Sequence, residues 1–223
     1  MYDIQSLMAR DGQVCPSCGR AHKEMLKACY IGHGVLQNIP SVLHQYNVKH
    51  PFVLCDRETY AAAGEQVIQL LAKASIAYTL HIIERTHPSP DERIVGEAFM
   101  YMNAQDDCVI GVGGGVINDT CKIVAAAKNC LDIIVGTAPS MDGFASASSS
   151  MERSGLKVSL ASKCPDVVIG DATILAKAPV HMIRSGVGDM IAKYVSLVEW
   201  KMAHILVGDA SCEEIVHMVQ YAL

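Results

Sequence analysis

The sequence predicts an α/β protein in which a parallel β-sheet carries helices on both faces and is followed by the start of an all-α domain. Three observations indicate this class. Short apolar runs alternate with amphipathic stretches of helical length, a glycine cluster separates one such run from a helix, and the last part of the chain is helical throughout. Alternating strands and helices are typical of βαβ units, whose right-handed crossovers place helices on both faces of a sheet.

The predicted elements follow one another in regular alternation. The strand segments are apolar enough for burial on both faces of a parallel sheet. Residues 140–154 are rich in Ser, Ala and Gly and are predicted not to form a core strand, whereas 156–160 and 166–169 are predicted to close the sheet. We expect the earlier strands at 29–31, 52–55, 77–82, 109–112 and 132–135, and helices at 35–46, 65–74, from 91 and at 117–128.

The chain changes character near residue 178. Beyond that point apolar residues recur near the helical period and no strand pattern remains. The sequence therefore predicts three segments. These are an N-terminal extension with a Cys-x-x-Cys pair (1–27), an α/β domain (28–178) and the beginning of a helical domain, which is expected to be incomplete (179–223).

Composition excludes several classes of protein. Hydrophobic residues make up 51% of the chain and charged residues 18%, which supports a buried core and argues against disorder. No apolar run approaches the roughly 18–20 residues of a membrane span, and the N-terminus lacks the apolar centre of a signal peptide. A net charge of −5 without a Lys/Arg block argues against nucleic acid as a partner. Nine cysteines without a signal peptide predict reduced thiols in a cytoplasmic protein.

The glycine cluster is the first candidate for binding chemistry. Gly113, Gly114 and Gly115 follow a predicted buried strand and precede a helix. Glycines let backbone amides approach an anion closely, and a helix N-terminus adds partial positive charge, so a pyrophosphate fits here. The segment departs from the usual dinucleotide fingerprint because Val116 stands where the third glycine is expected. The alternative is a sharp strand-to-helix turn that binds no ligand.

Two further segments follow predicted strands. Asp56 ends the strand at 52–55, where a carboxylate could accept both hydroxyls of an adenosine ribose, and the alternative is a helix cap. Residues 137–146 follow the strand at 132–135 and carry hydroxyls and one carboxylate that suit a cofactor or polyol. Their alternative is a polar loop with capping serines.

Two candidate metal sites differ in their surroundings. Asp189 could be a metal ligand or a helix-start carboxylate paired with a lysine one turn later. His204 and His217 lie roughly 22 and 16 Å from it along the helix axes, too far to share an ion. The pair Cys15 and Cys18 resembles half of a zinc ribbon, with His22 and Cys29 as further candidates, and the alternative is a loop without metal.

Taken in order, the motifs resemble the iron-containing alcohol dehydrogenase/glycerol dehydrogenase superfamily, and within it the sn-glycerol-1-phosphate dehydrogenases. The motifs are GGGVINDTCK (113–122), TAPSMDGFAS (137–146) and SGVGDMIAKY (185–194), with support from PDVVIGDATILAKAP (165–179). The resemblance covers about residues 28–223. It implies a Rossmann-like dinucleotide-binding domain over 28–178 and a helical metal- and substrate-binding domain from 179, in a dehydroquinate synthase-like or glycerol dehydrogenase-like architecture.

The resemblance also implies a role for each matching position. Asp142 and Asp189 would be catalytic and bind substrate, and Asp189 would be the metal ligand, with two histidine ligands expected beyond Leu223. Asp56 would hold the adenosine ribose, which favours NAD over NADP without excluding NADP. The remaining cofactor contacts would be Gly113, Gly114, Gly115, Val116, Ile117, Thr137, Ala138, Pro139, Ser140 and Ser146.

The implied reaction is the NAD(P)H-dependent reduction of dihydroxyacetone phosphate to sn-glycerol 1-phosphate, in glycerophospholipid backbone synthesis. A divalent metal, zinc or nickel, would act as Lewis acid. The partner is therefore a small molecule, with no membrane or nucleic acid, and a homo-oligomer is compatible with exposed apolar helices. The alternatives are a cofactor-binding remnant without catalysis and a glycerol dehydrogenase-like polyol oxidoreductase.

Overall fold

A parallel sheet organises most of the chain in the computed structural model, which describes residues 12–22 and 26–223. Over these residues the sheet has six strands in the order β1-β8-β5-β4-β2-β3, and every pairing in it is parallel. The predicted α/β class is therefore confirmed. The strands are β1 (Ala28–Gly32), β2 (Pro51–Asp56), β3 (Thr79–Ile83), β4 (Cys108–Gly113), β5 (Leu131–Gly136) and β8 (Val167–Asp171).

Helices connect these strands and form the C-terminal part of the described chain. A short helical turn at Val35–Asn38 precedes the first helix, and two more, at Arg57–Thr59 and Tyr60–Gly64, precede the second. Another turn lies at Gly143–Ala145. The helices are α1 (Ile39–Gln45), α2 (Glu65–Lys73), α3 (Glu92–Tyr101), α4 (Gly115–Lys128), α5 (Ala172–Leu175), α6 (Val180–Val207) and α7 (Glu213–Ala222).

Of the two segments predicted to close the sheet, one differs from the prediction. Residues 156–160 do not close the parallel sheet: β7 (Leu156–Ala161) pairs with β6 (Ser148–Arg153) in a separate antiparallel hairpin. The turn between them uses Ser154 and Gly155 at φ +53° and +78°, which favours tight local pairing. A parallel strand needs apolar side chains on both faces, and these two strands expose much of their length. The segment predicted at 166–169 does join the parallel sheet, as β8, between β1 and β5.

The core has two layers, one on each face of the sheet. Alternate residues of β2 point to opposite faces, so that Val53 packs in one layer and Leu54 in the other. One layer includes apolar residues of α1 and α2, and the other includes residues of α3 and α4. Helices therefore cover both faces, as predicted.

The described residues divide into two compact units. Residues 26–183 contain the sheet, and residues 12–22 form a unit with 184–223. Along α6 several large apolar side chains are exposed, among them Ile191, Tyr194 and Val198. Within the two described ranges, no helix combines the length and the apolar character that crossing a bilayer requires.

Candidate cofactor site

The chain connections reverse direction between β2 and β4. From β2 the chain runs outward to β3, whereas from β4 it runs the other way to β5. In open α/β sheets, ligands bind in the crevice beyond the carboxyl ends of the strands at such a reversal. The topology therefore puts the candidate site beyond Asp56 and Gly113, the last residues of the two strands.

The pairing register brings the ends of three strands level. Leu54 pairs with Gly111, and each lies two residues before the end of its strand. Gly113 pairs with Gly136, and the Thr137 N–H donates to the Gly113 carbonyl over 3.2 Å. The segments that follow β2, β4 and β5 therefore begin at the same edge of the sheet.

The glycine turn after β4 presents backbone donors at this edge. Gly114 is the extended N-cap of α4, at φ −96° and ψ −151°, and no side chain caps the helix. The first N–H groups of a helix have no partner within it and lie at the positive end of its dipole. The turn is therefore suited to hold an anion.

The glycines of this turn serve different purposes. A Cβ on Gly113 would lie 2.5 Å from Ile117 Cγ1, and one on Gly111 would lie 2.7 Å from Cys121 Sγ. These two glycines allow β4 and α4 to pack closely. A Cβ on Gly114 would meet only a serine Oγ, at 3.7 Å, an ordinary contact. The position of Gly114 is therefore open, as a cradle for a ligand requires.

Asp56 both caps a helical turn and lines a cleft. Its Oδ1 accepts from the Thr59 N–H over 2.8 Å, and its own N–H donates to Thr59 Oγ1 over 3.0 Å. The structure therefore confirms that Asp56 caps this helical turn, which was the alternative to a ribose contact. The cleft beside it has a volume of about 250 Å³ and is lined by Asp56, Arg57, Glu58, Glu84, Arg85, Thr86, His87 and Pro88.

The loop that leaves β5 changes from buried to exposed. Thr137 and Ala138 are buried, whereas Pro139 and Asp142 are exposed. Ser140 is partly buried. The carboxylate of Asp142 is therefore accessible to a small molecule in the segment after β5.

A fully buried lysine, which the sequence reasoning missed, holds this loop against α4. Lys122 Nζ donates to Asp119 Oδ1 (3.3 Å), the Gly143 carbonyl (3.1 Å), Ser146 Oγ (2.9 Å) and the Ser148 carbonyl (3.1 Å). The hydroxyl of Ser146, predicted to contact the cofactor, is thus engaged in an internal network. The signal in the sequence was an aspartate and a lysine three residues apart, a spacing that makes them neighbours on one side of the helix.

Asp119 extends this network to the β6–β7 hairpin. Its Oδ2 accepts from the Ser150 N–H over 3.2 Å. Burial raises the pKa of this carboxyl, and the Lys122 ammonium opposes that rise. The pair therefore orders the segment between β5 and β6.

Asn118 carries an unsatisfied acceptor in the second turn of α4. The residue is fully buried, and its Oδ1 has no hydrogen-bond partner among the described residues. Its Nδ2 lies 3.5 Å from the Gly143 carbonyl. A buried polar group of this kind ordinarily has a partner, so a water or ligand donor is expected there.

Asp189 is the one metal ligand that the resemblance implies within this sequence. This residue lies on α6 and is partly exposed. In residues 12–22 and 26–223, no group of three or more His, Cys, Asp or Glu ligand atoms includes it, His204 or His217. The side chains of the described chain therefore do not make a complete metal site at Asp189.

The N-terminal cysteines belong to a different group. Cys15, Cys18 and His22 meet Cys212 in the unit formed by residues 12–22 and 184–223. Cys29, the fourth ligand suggested by the sequence, lies in β1. The sequence spacing could not reveal Cys212 because it lies 197 residues from Cys15.

The fold and the turn define an open α/β protein with an uncapped helix N-terminus at the topological reversal of its sheet. The family model of iron-containing alcohol dehydrogenases matches residues 30–179, and the chain belongs to that family. The resemblance inferred from the motifs is therefore confirmed.

Curated relatives carry a more specific name. The chain is 30% identical over 210 residues to a glycerol-1-phosphate dehydrogenase (NAD(P)+) of Halalkalibacterium halodurans, covering 92% of this chain and 53% of the relative. It is 34% identical over 196 residues to the enzyme of the same name from Thermoplasma acidophilum, covering 86% and 54%. The chain thus spans about half the length of the curated relatives it matches.

Solved structures of the same fold include two dehydrogenases. The NADH-dependent butanol dehydrogenase A of Thermotoga maritima matches with a TM-score of 0.69 at 20% identity, over 82% of this chain and 51% of that one. The glycerol dehydrogenase of Schizosaccharomyces pombe matches with a TM-score of 0.67 at 20% identity, over 76% and 43%. At this identity the likeness supports the fold.

Proposed function

We propose that the chain binds NAD or NADP beyond β2, β4 and β5, and that the protein reduces dihydroxyacetone phosphate to sn-glycerol 1-phosphate. The observation that carries the proposal is the open Gly114 turn at the topological reversal of the sheet. The names of the curated relatives support the reaction. In this proposal residues 28–178 are the dinucleotide-binding domain.

The pyrophosphate would lie on the backbone of residues 113–117. The open face of Gly114 leaves room for phosphate oxygens, and the partial positive charge of the α4 N-terminus favours them. Ile117 is buried in the core, so it would contribute its backbone while its side chain anchors the helix.

The adenosine ribose would lie in the cleft beside Asp56. Oδ1 of Asp56 accepts from the Thr59 backbone N–H, so in this proposal Oδ2 would accept from the ribose hydroxyls. A carboxylate there repels a 2′-phosphate and favours NAD. Arg57 and Arg85 line the same cleft and could receive that phosphate, so use of NADP is compatible with the site.

The nicotinamide half would lie along residues 137–140 with Ser146 nearby, and Asp142 would bind the substrate. When bound, the nicotinamide supplies the hydride for the carbonyl. Lys122 orders residues 143–148 and would thereby position the loop that carries Asp142. In this proposal Lys122 is a positioning residue.

Asp189 is proposed as one ligand of a divalent ion, zinc or nickel, on the strength of the resemblance. Among the described residues, Asp189 belongs to no group of three or more His, Cys, Asp or Glu ligand atoms, so the proposed roles of the other residues do not depend on that ion. The lipid-precursor role of the product likewise follows from the resemblance.

The first experiment measures NADH binding by fluorescence titration of the purified chain. We expect the wild type to bind and Gly114→Val to show no measurable binding, because the added side chain would occupy the phosphate position. Gly96→Val is the matched control, since a Cβ at that exposed helical position meets nothing within 4 Å. Unchanged affinity in Gly114→Val would refute the assignment of the pyrophosphate.

The second experiment follows NADH oxidation with added zinc or nickel. Turnover that depends on dihydroxyacetone phosphate supports the proposed reaction. Equal turnover of unphosphorylated dihydroxyacetone would instead indicate a polyol oxidoreductase. Binding of NADH without turnover of either substrate would indicate that this chain binds cofactor without catalysing the reaction.

A further inference from the structure

We propose that Cys15, Cys18, His22 and Cys212 form a closed structural zinc site. The four ligand atoms all lie within 4.8 Å of one another. Cys15 Sγ lies 3.6 Å from Cys212 Sγ, and Cys18 Sγ lies 3.3 Å from His22 Nε2. Around a tetrahedral zinc, sulfurs at 2.3 Å lie about 3.8 Å apart and a sulfur and a nitrogen about 3.6 Å apart. The cluster therefore already has nearly the dimensions of a loaded site.

The first three ligands are held by a small hairpin. Val14 and Ala21 pair as an antiparallel bridge, and the Cys15 N–H donates to the Arg20 carbonyl over 2.8 Å. The Gly19 N–H donates back to the Cys15 carbonyl over 2.8 Å, at a left-handed φ of +69° that suits glycine. This tight turn brings the two thiols of the Cys-x-x-Cys pair and the following histidine to one side.

The fourth ligand is set by the start of α7. Cys212 is the N-cap residue of that helix and is 3% exposed. Arg20 donates to the Ser211 carbonyl over 3.2 Å, and Trp200 Nε1 donates to the Ala210 carbonyl over 2.9 Å. These bonds to the two preceding residues fix the segment that presents the Cys212 thiol.

The chemistry of the ligands selects zinc and a structural role. Three thiolates and one imidazole form a soft set that suits a tetrahedral zinc. All four coordination positions are filled by protein, so no position is left for a substrate. A disulfide would use only two of the three thiols and needs sulfurs about 2.05 Å apart, whereas all the cysteines are free in this structure.

A bound zinc would join two segments that are far apart in the sequence. It would tie the 12–22 hairpin to Cys212, the N-cap residue of α7, across 197 positions of the chain. This site shares no ligand with Asp189 and does not depend on the proposed dehydrogenase activity.

The experiment measures metal content of the full chain, purified under reducing conditions, by inductively coupled plasma mass spectrometry. We expect about one zinc per chain in the wild type and in Cys29→Ser, and nearly none in Cys18→Ser or Cys212→Ser. His22→Cys should retain zinc and His22→Ala should lose most of it. Asp189→Asn should retain it, which separates this ion from any catalytic metal.

A spectroscopic test on the wild type covers the case in which the cysteine variants do not fold. Replacing zinc by cobalt(II) should give the thiolate charge-transfer absorption and the intense visible bands of a tetrahedral thiolate site. A chain without zinc that gives no such spectrum would overturn the proposal. Retention of zinc by Cys212→Ser, iron in place of zinc, or a mass two hydrogens lower from a Cys15–Cys212 disulfide would also overturn it.

Discussion

The glycine turn and the cysteine cluster solve the problem of ligand binding in opposite ways. The turn is one continuous segment, from β4 into α4, and offers backbone N–H groups at an open position. The cluster gathers four side chains, one of which lies 197 positions from its neighbour, in a partly buried group. Binding through backbone N–H groups depends little on side-chain identity but is blocked by a larger side chain at Gly114. Binding through side chains instead depends on each of the four ligands.

This difference explains why the glycine turn could be predicted from the sequence, whereas only part of the cysteine cluster could. A strand, three glycines and a helix follow one another in consecutive residues, so the sequence predicts both the turn and its position at the carboxyl end of a strand. The spacing also indicates a partial metal-binding motif at Cys15, Cys18 and His22. The residues around Cys212, however, give no sign that it is the fourth ligand. Only the folded chain brings it to them.

The largest expected effect on stability is at Lys122, which holds the loop after β5 against α4, the helix that the glycine turn begins. Lys122→Ala leaves Asp119 buried without its partner, and breaking a buried pair in this way costs about 3–5 kcal/mol of unfolding free energy. Urea unfolding of the variant and the wild type measures this loss of unfolding free energy. Lys128→Ala, on the same helix with an exposed amine, is the control and should change stability little.

A loss confined to Lys122→Ala would sharpen the comparison by showing that one buried network secures the loop after β5 against α4. If Lys122→Ala released zinc from a chain that remained folded, the two regions would not be separate, and the comparison would be broken.

The parallel sheet that carries the glycine turn and the cysteine cluster should respond oppositely to pH. Asp132 in β5 is fully buried, neither carboxylate oxygen has a partner among the described residues, and burial raises its pKa to about 7. The folded state therefore holds this proton between about pH 4 and 7 while the unfolded chain loses it, so rising pH destabilises the sheet by at most about 4 kcal/mol. Zinc bound to thiolates is instead released as pH falls.

The test of the pH prediction is urea unfolding of the wild type and Asp132→Asn at pH 5 and pH 8. We expect Asp132→Asn to be the more stable at pH 8 and the difference to shrink at pH 5. An advantage that is the same at both values would show that the carboxyl of Asp132 does not titrate with a raised pKa.

Among the glycines, the structure separates packing from binding. Gly111→Ala brings a Cβ to 2.7 Å from Cys121 Sγ, and overpacking of this kind costs about 1–3 kcal/mol. Gly114→Ala meets no such contact and should leave stability nearly unchanged while weakening NADH binding. Thermal unfolding and NADH titration of the two variants check this. The reverse pattern, with Gly114→Ala unstable and still binding, would contradict the open cradle.

The smallest expected effect is at Asp56, where a cap and a proposed ribose contact coincide. Asp56→Ala should cost about 1 kcal/mol by removing the cap, and Asp56→Ser should restore most of that stability. Both variants should bind NADH more weakly, because neither has a carboxylate for the ribose hydroxyls. Full NADH affinity in Asp56→Ser would assign Asp56 to capping alone.

The buried networks and the hairpin lay beyond the reach of sequence reasoning for physical reasons. Residues 148–153 are serine-rich and pair along their length with the strand that follows them, outside the parallel sheet, so their apolar pattern is too weak to predict a strand. Lys122 was missed because a buried lysine is rare unless its partners are known, and those partners lie in a loop more than 20 residues away. The alternation of apolar strands and helices, by contrast, was enough to predict the parallel sheet.

Hydrogen–deuterium exchange of the full chain tests the central claim, that the two regions bind different ligands by different means. Adding NADH should slow exchange in residues 113–117 and leave 12–22 unchanged. Removing zinc with a chelator should speed exchange in 12–22 and at the start of α7 and leave 113–117 unchanged. Protection by NADH elsewhere but not at 113–117, or no response of 12–22 to zinc removal, would contradict the account.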